Sequence, residues 1–154
     1  LHRRAAAGGV RAPVTRRSIG RARLVVSLGA VLTLAGTFPA WWTVGGRVTE
    51  ALSGNAFDFP SSGIVVFLAA VAMLFIVVLP YARRDGEAGI DRPLGYGLLW
   101  LAAVGALALR AWQVSEFGGL GLPDRSPGLW LAAAGLLVVA AGVIDMLGEP
   151  PPAY

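Results

Sequence analysis

Four apolar stretches, at 24–38 with an extension to 42, at 64–81, at 94–114 and at 129–147, dominate this 154-residue chain and leave few options for its fold. A helix needs about 20 apolar residues to cross the roughly 30 Å hydrocarbon core of a bilayer, and each stretch approaches that length. None carries an ionisable residue near its centre, and none alternates with the period of two that a membrane β-barrel strand requires. With 56% hydrophobic and 14% charged residues, the chain has more apolar surface than a water-soluble domain of this size can bury. The expected fold class is an all-α membrane protein of four antiparallel transmembrane helices, with a small β-hairpin in its first outer loop. The transmembrane domain covers 24–147, between a basic arm at 1–23 and a short Pro-rich tail at 148–154.

Orientation follows from the arginines, because basic residues in short loops mark the cytoplasmic side and acidic residues carry little weight. Lysine is absent, so all thirteen cations are arginine, and with the abundance of Ala and Gly this points to a GC-rich bacterial coding sequence. Arg3, Arg4, Arg11, Arg16, Arg17, Arg21 and Arg23 precede the first span, and Arg83, Arg84 and Arg92 lie between the second and third. Only Arg47, Arg110 and Arg125 fall on the opposite side, so both termini are expected in the cytoplasm of a cell with this protein in its plasma membrane. Trp41, Trp42, Trp112 and Trp130 are then expected at the outer boundary, with Tyr81 and Tyr96 at the inner one.

The arm at 1–23 has almost no large apolar side chains and reads as a disordered segment attracted to anionic lipid, each arginine near the surface contributing about 1 kcal/mol. It lacks the interleaved aromatics of a single-stranded nucleic-acid binder, so no nucleic-acid partner is expected. Thr15-Arg16-Arg17-Ser18-Ile19 resembles a twin-arginine export signal. Arg21 and Arg23 interrupt the approach to its apolar run, and three further spans follow, so the first span reads as a retained anchor.

Outside the bilayer, Gly45-Gly46 between the β-prone runs Trp41-Trp42-Thr43-Val44 and Arg47-Val48-Thr49 signals a two-residue hairpin. That turn pairs Val44 with Arg47, Thr43 with Val48 and Trp42 with Thr49. Trp41, Trp42, Arg47, Glu50, Phe57, Asp58, Phe59 and Glu116 are the candidate outer contacts for a partner. The acids occur singly, without the spacing of a calcium loop or of a catalytic carboxylate pair. With no cysteine and His2 as the single histidine, neither a metal site nor a cofactor is expected, and the chain reads as a non-enzyme.

Small residues at helix-packing spacing, Gly29, Thr33 and Thr37 in the first span, Ala102, Gly105 and Ala106 in the third and Gly135 in the fourth, mark faces for bundling or self-association. Arg110 and Asp145 lie near span ends, where an arginine can snorkel and a carboxylate can reach headgroups or water. The expected role is an interaction, scaffold or accessory-subunit function in a membrane complex or the cell envelope. The alternatives are a small homo-oligomeric transporter or channel subunit, with Ser27, Thr33, Thr37 and Asp145 along a path, and an enzyme using Glu50, Asp58 or Glu116.

Gly36-Thr37-Phe38-Pro39-Ala40-Trp41 after a first span, followed by a glycine-rich loop and a long aliphatic second span, resembles small four-helix membrane proteins common in actinobacteria. The resemblance implies architecture and no activity. The Trp-bearing, strand-rich first loop is also similar to that of claudin-like proteins. Their loop disulfide has no counterpart in a chain without cysteine, so that similarity reads as convergence.

Overall fold

A computed structural model describes residues 20–46, 50–58, 62–82, 93–116 and 125–148. The arm at 1–19, Arg47, Phe59, the segment 83–92 and the tail from 149 lie outside the described residues, and with them most of the arginines behind the expected orientation. The chain is mostly helical: α1 (Arg21–Gly36), β1 (Trp42–Val44), β2 (Leu52–Gly54), α2 (Ser62–Ala82), α3 (Pro93–Glu116) and α4 (Pro127–Gly148). Pro93 and Pro127 are the first residues of their helices, where the missing N–H costs no intrahelical bond and the fixed φ suits the first turn. Three helices, α2, α3 and α4, are long and apolar enough to cross a membrane.

The first helix ends earlier than its apolar run. It stops at Gly36, and its 16 residues rise about 24 Å, short of the bilayer core. Thr37 and Phe38 donate back to the carbonyls of Leu34 (3.1 Å) and Ala35 (3.4 Å), three residues away rather than four, which tightens and closes the last turn. Pro39 has no N–H to continue the ladder and disfavours helical backbone at Phe38.

The helices form a ring in which α1 lies beside α4 and α2, and α3 lies beside α2 and α4. The α1–α4 contact is the most extensive and runs antiparallel. A Cβ built on Gly36 would lie 2.5 Å from the Ala132 nitrogen, one on Gly29 2.6 Å from the Val139 nitrogen, and one on Gly142 2.6 Å from Val26 Cγ2. The buried positions on α1 include 22, 26, 29, 33 and 36, and those on α4 include 128, 132, 135, 139 and 142. Both sets step by four and three residues, the spacing of a left-handed coiled seam, but with glycine, alanine, threonine and valine where a soluble coil has leucine. In lipid no hydrophobic force separates helix from tail, so close backbone approach supplies the attraction through van der Waals contact.

A two-stranded antiparallel sheet caps one end of this ring, with Trp42 opposite Gly54, Thr43 opposite Ser53 and Val44 opposite Leu52. This corrects the tight hairpin expected from Gly45-Gly46. Both glycines do adopt positive φ, 86° and 92°, but they open a wider connection than a two-residue turn. The pairing strand contains Gly54, and a Cβ there would lie 2.5 Å from Trp42 Nε1, so the indole crosses the strand where no side chain obstructs it.

Candidate functional site

The sheet end of the bundle is where the sequence concentrates its polar and aromatic residues, and it is built outward from Trp41. This residue is fully buried within the protein. Its indole nitrogen donates to the Gly36 carbonyl at 2.7 Å and so satisfies one of the acceptors left open where α1 ends. Gly128 on α4 makes room for the ring, since a Cβ there would lie 2.7 Å from Trp41 Cδ1. The Gly128 N–H donates to Ala40 at 2.9 Å, fixing the exit of α1 to the first turn of α4.

The rest of the first loop is tied to the helices in the same way. The Ala56 N–H donates to the Thr37 carbonyl at 3.3 Å, and α2 starts directly on top of Ala56, where only a glycine at 63 fits. Thr43 Oγ1 donates to the Arg125 carbonyl at 2.7 Å, joining the sheet to the segment before α4. Between β2 and α2, the Asn55 N–H donates to Asp58 Oδ2 at 2.6 Å and the Phe57 N–H to Asn55 Oδ1 at 2.9 Å, a side-chain-closed turn. Phe57 packs edge-on against Phe67 of α2 with centroids 5.4 Å apart, and Phe38 joins them at 5.9 Å from Phe57. Phe38, Val44, Leu52 and Phe57 remain exposed on this cap, as does Glu50.

Beneath the cap, Trp41, Ala56, Val66, Leu129 and Ala132 form an apolar layer, with Ala106 and Leu107 of α3 against it. One helical turn further toward the sheet end stand Ser62 on α2, Arg110 on α3 and Ser126 before α4, with Gln113 a turn beyond Arg110. Arg110 is 3% exposed and Ser126 is fully buried. The position of Arg110 on the 103–106–110–113 face of α3 turns it into the bundle. Arg110 Nε, Gln113 Oε1, Ser62 Oγ and Ser126 Oγ are all buried without a hydrogen-bond partner. Arg110 lies within electrostatic reach of Asp58, but they form no ion pair among the described residues.

The other expected site residues are distributed as follows. Gly29, Thr33 and Gly135 come together at the α1–α4 seam, where the backbone of Thr33 lies directly against Gly135, whereas Thr37 is buried just beyond α1 and its carbonyl accepts from the Ala56 N–H of the first loop. Ala106 is half-buried, whereas Ala102 and Gly105 face away from the bundle, and a Cβ on Gly105 would meet nothing within 4 Å. Ala103 is the buried alanine of α3, and Tyr96 is fully buried in the core. Glu116 accepts from Trp112 Nε1 at 3.1 Å within its own helix, and Asp145 is exposed near the far end of α4. The hydroxyls of Ser27, Thr33 and Thr37 donate to carbonyls of their own helix, those of Arg23, Gly29 and Leu34. Among the described residues, no three His, Cys, Asp or Glu side chains group as a metal site.

No family model, curated protein or solved structure matches this chain.

Sequence reasoning passed over Gly36, Gly128 and Gly142, although 128, 135 and 142 recur every seven residues and that heptad was available as a signal. Ser62, Gln113 and Ser126 gave no signal, because single polar residues at helix ends are ordinary.

Proposed function

We propose that the chain is a multi-pass plasma-membrane protein with all four helices in the bilayer and both termini in the cytoplasm, serving as a scaffold or accessory subunit. The short α1 fits this reading because the carbonyls of Gly36, Thr37 and Ala40 at its non-helical exit accept from Trp41, Ala56 and Gly128, and irregular backbone is tolerated at membrane depth where protein satisfies its polar groups. The observation that carries the interaction role is the bracing of the first loop. Trp41, Ala56, Thr43 and Gly128 fix it to three segments of the bundle, leaving Val44, Leu52 and Phe57 exposed on a pre-ordered surface. A pre-ordered surface loses little conformational entropy on binding, which favours recognition. The reading is of a non-catalytic protein. It is preferred to a transporter because the hydroxyls of Ser27, Thr33 and Thr37 are engaged with backbone, and Thr33 and Thr37 are fully buried.

The test is extraction of the tagged full chain in a neutral detergent, followed by mass spectrometry of wild type and of a Leu52→Asp, Phe57→Asp double variant. A stoichiometric partner that is lost in a folded double variant supports the reading. A homo-oligomer that conducts or transports when reconstituted overturns it in favour of a channel subunit. Single cysteines at the exposed positions Ser53 and Arg21, in a chain with none of its own, report orientation by labelling of intact cells. Ser53→Cys is expected to react and Arg21→Cys to be protected.

A further inference from the structure

The buried polar layer at the sheet end has no use in the interaction reading, and its chemistry is specific. A guanidinium carries five N–H donors and a permanent charge, and a buried donor left without an acceptor loses its hydration with nothing in return. Arg110 is 3% exposed, its Nε has no partner, and among the described residues it forms neither a hydrogen bond nor an ion pair. Among the described residues the opposite charge acting on it is Asp58, which is exposed and already holds the Asn55 N–H at 2.6 Å. At the same level stand the unpartnered hydroxyls of Ser62 and Ser126, and one turn beyond Arg110 on α3 the amide of Gln113, whose donor and acceptor ends exchange by a half-turn. Their common level follows from the apolar layer below. Ser62 is four residues before Val66, Ser126 three before Leu129, and Arg110 three after Leu107, each one turn nearer the sheet end. Ser62 also opens α2, whose N-terminal dipole favours negative charge.

We propose that this layer is a binding site for a singly charged oxyanion, a carboxylate or a phosphodiester, held by Arg110 with Ser62, Ser126 and Gln113 as supporting donors. A guanidinium fork matches two oxygens of such a group. Asp58 at the rim adds a fixed negative charge that disfavours dianions, so a monoanion is selected. The group can come from a soluble small molecule or from a phospholipid headgroup. The inference stands on the sheet-end geometry and does not depend on a protein partner, so its failure and that of the scaffold reading are separable.

Two arms of one experiment test it with the full chain. In neutral maltoside detergent, acetate and inorganic phosphate are titrated while tryptophan fluorescence is followed. In native mass spectrometry, retention of phosphatidylglycerol and phosphatidylcholine is compared. Wild type is expected to bind in at least one arm, with acetate preferred to phosphate above neutral pH in the first. In that arm Arg110→Gln should weaken binding by about tenfold or more, and Arg110→Lys by less, because the charge survives without the fork. Asp58→Asn, which keeps an acceptor for the Asn55 N–H, should strengthen binding about threefold, as a like charge is removed. If Arg110→Gln does not fold, the Ser62→Ala, Ser126→Ala double variant is expected to show a weakening of several fold instead. Binding in neither arm, or binding that is the same in wild type and in a folded Arg110→Gln or serine double variant, overturns the proposal. A weaker Asp58→Asn variant also overturns it, because the carboxylate would then be helping rather than opposing the anion.

Discussion

Trp41 Nε1 donates to the carbonyl of Gly36, five residues back along the chain, at 2.7 Å, and the ring that makes this bond is fully enclosed. One side chain thereby satisfies an open carbonyl at the end of α1, fills the apolar layer under the sheet and occupies the space that Gly128 leaves on α4.

Trp41→Phe keeps most of the ring and removes the donor, leaving a buried carbonyl unpaired, and is expected to destabilise the protein by about 1–3 kcal/mol. Trp41→Ala adds a cavity and should cost about 3–5 kcal/mol. Denaturant unfolding in detergent, followed by helical circular dichroism, measures both. A Trp41→Phe variant as stable as wild type would show the hydrogen bond to be dispensable.

Glycines of identical local character should respond in opposite ways. Gly29→Ala and Gly135→Ala place a Cβ against facing backbone and should each destabilise by about 1–3 kcal/mol, since neither helix can yield without separating the seam. Gly97→Ala and Gly105→Ala meet nothing within 4 Å and should be neutral or stabilising by up to about 1 kcal/mol through helix propensity. Equal melting temperatures for the Gly29→Ala and Gly105→Ala variants would contradict the packing described for α1 and α4.

The strand register is open to cross-linking in a chain without native cysteine. Thr43→Cys with Ser53→Cys and Val44→Cys with Leu52→Cys are successive opposed pairs. Opposed pairs alternate between hydrogen-bonded and closer non-hydrogen-bonded geometry, so one of the two should form a disulfide readily under mild oxidation. Thr43→Cys with Val48→Cys, the pair that a two-residue turn would bring together, should not. Efficient cross-linking of that last pair alone would restore the tight hairpin.

Asp145 is exposed near the end of α4, so Asp145→Asn should change stability by less than about 0.5 kcal/mol and leave partner binding intact. Loss of a measured transport activity in this variant would favour the proton-coupled carrier over the scaffold.

Helices α2, α3 and α4 were readable from the chain because uninterrupted apolar length is a local property, and their starts are sharpened by Pro93 and Pro127. The heptad of glycines at 128, 135 and 142 was present too, yet the glycines at 97 and 105 carry the same local signal and face outward. In a bilayer the outward face of a helix is as apolar as its inward face, so hydropathy cannot say which glycine meets a neighbour. Only the position of α1 against α4 distinguishes them. Likewise, Gly45-Gly46 announces a turn, but the choice between pairing with 47–49 and with 52–54 depends on where the Trp42 ring can pass, which is over Gly54. The sequence by itself determined the number, type and approximate ends of the helices, through the length of apolar runs and proline at their starts. Tertiary structure alone decided that Trp41 and Arg110 turn inward, because the side to which a helix-end residue points is set by the packing of the helices around it.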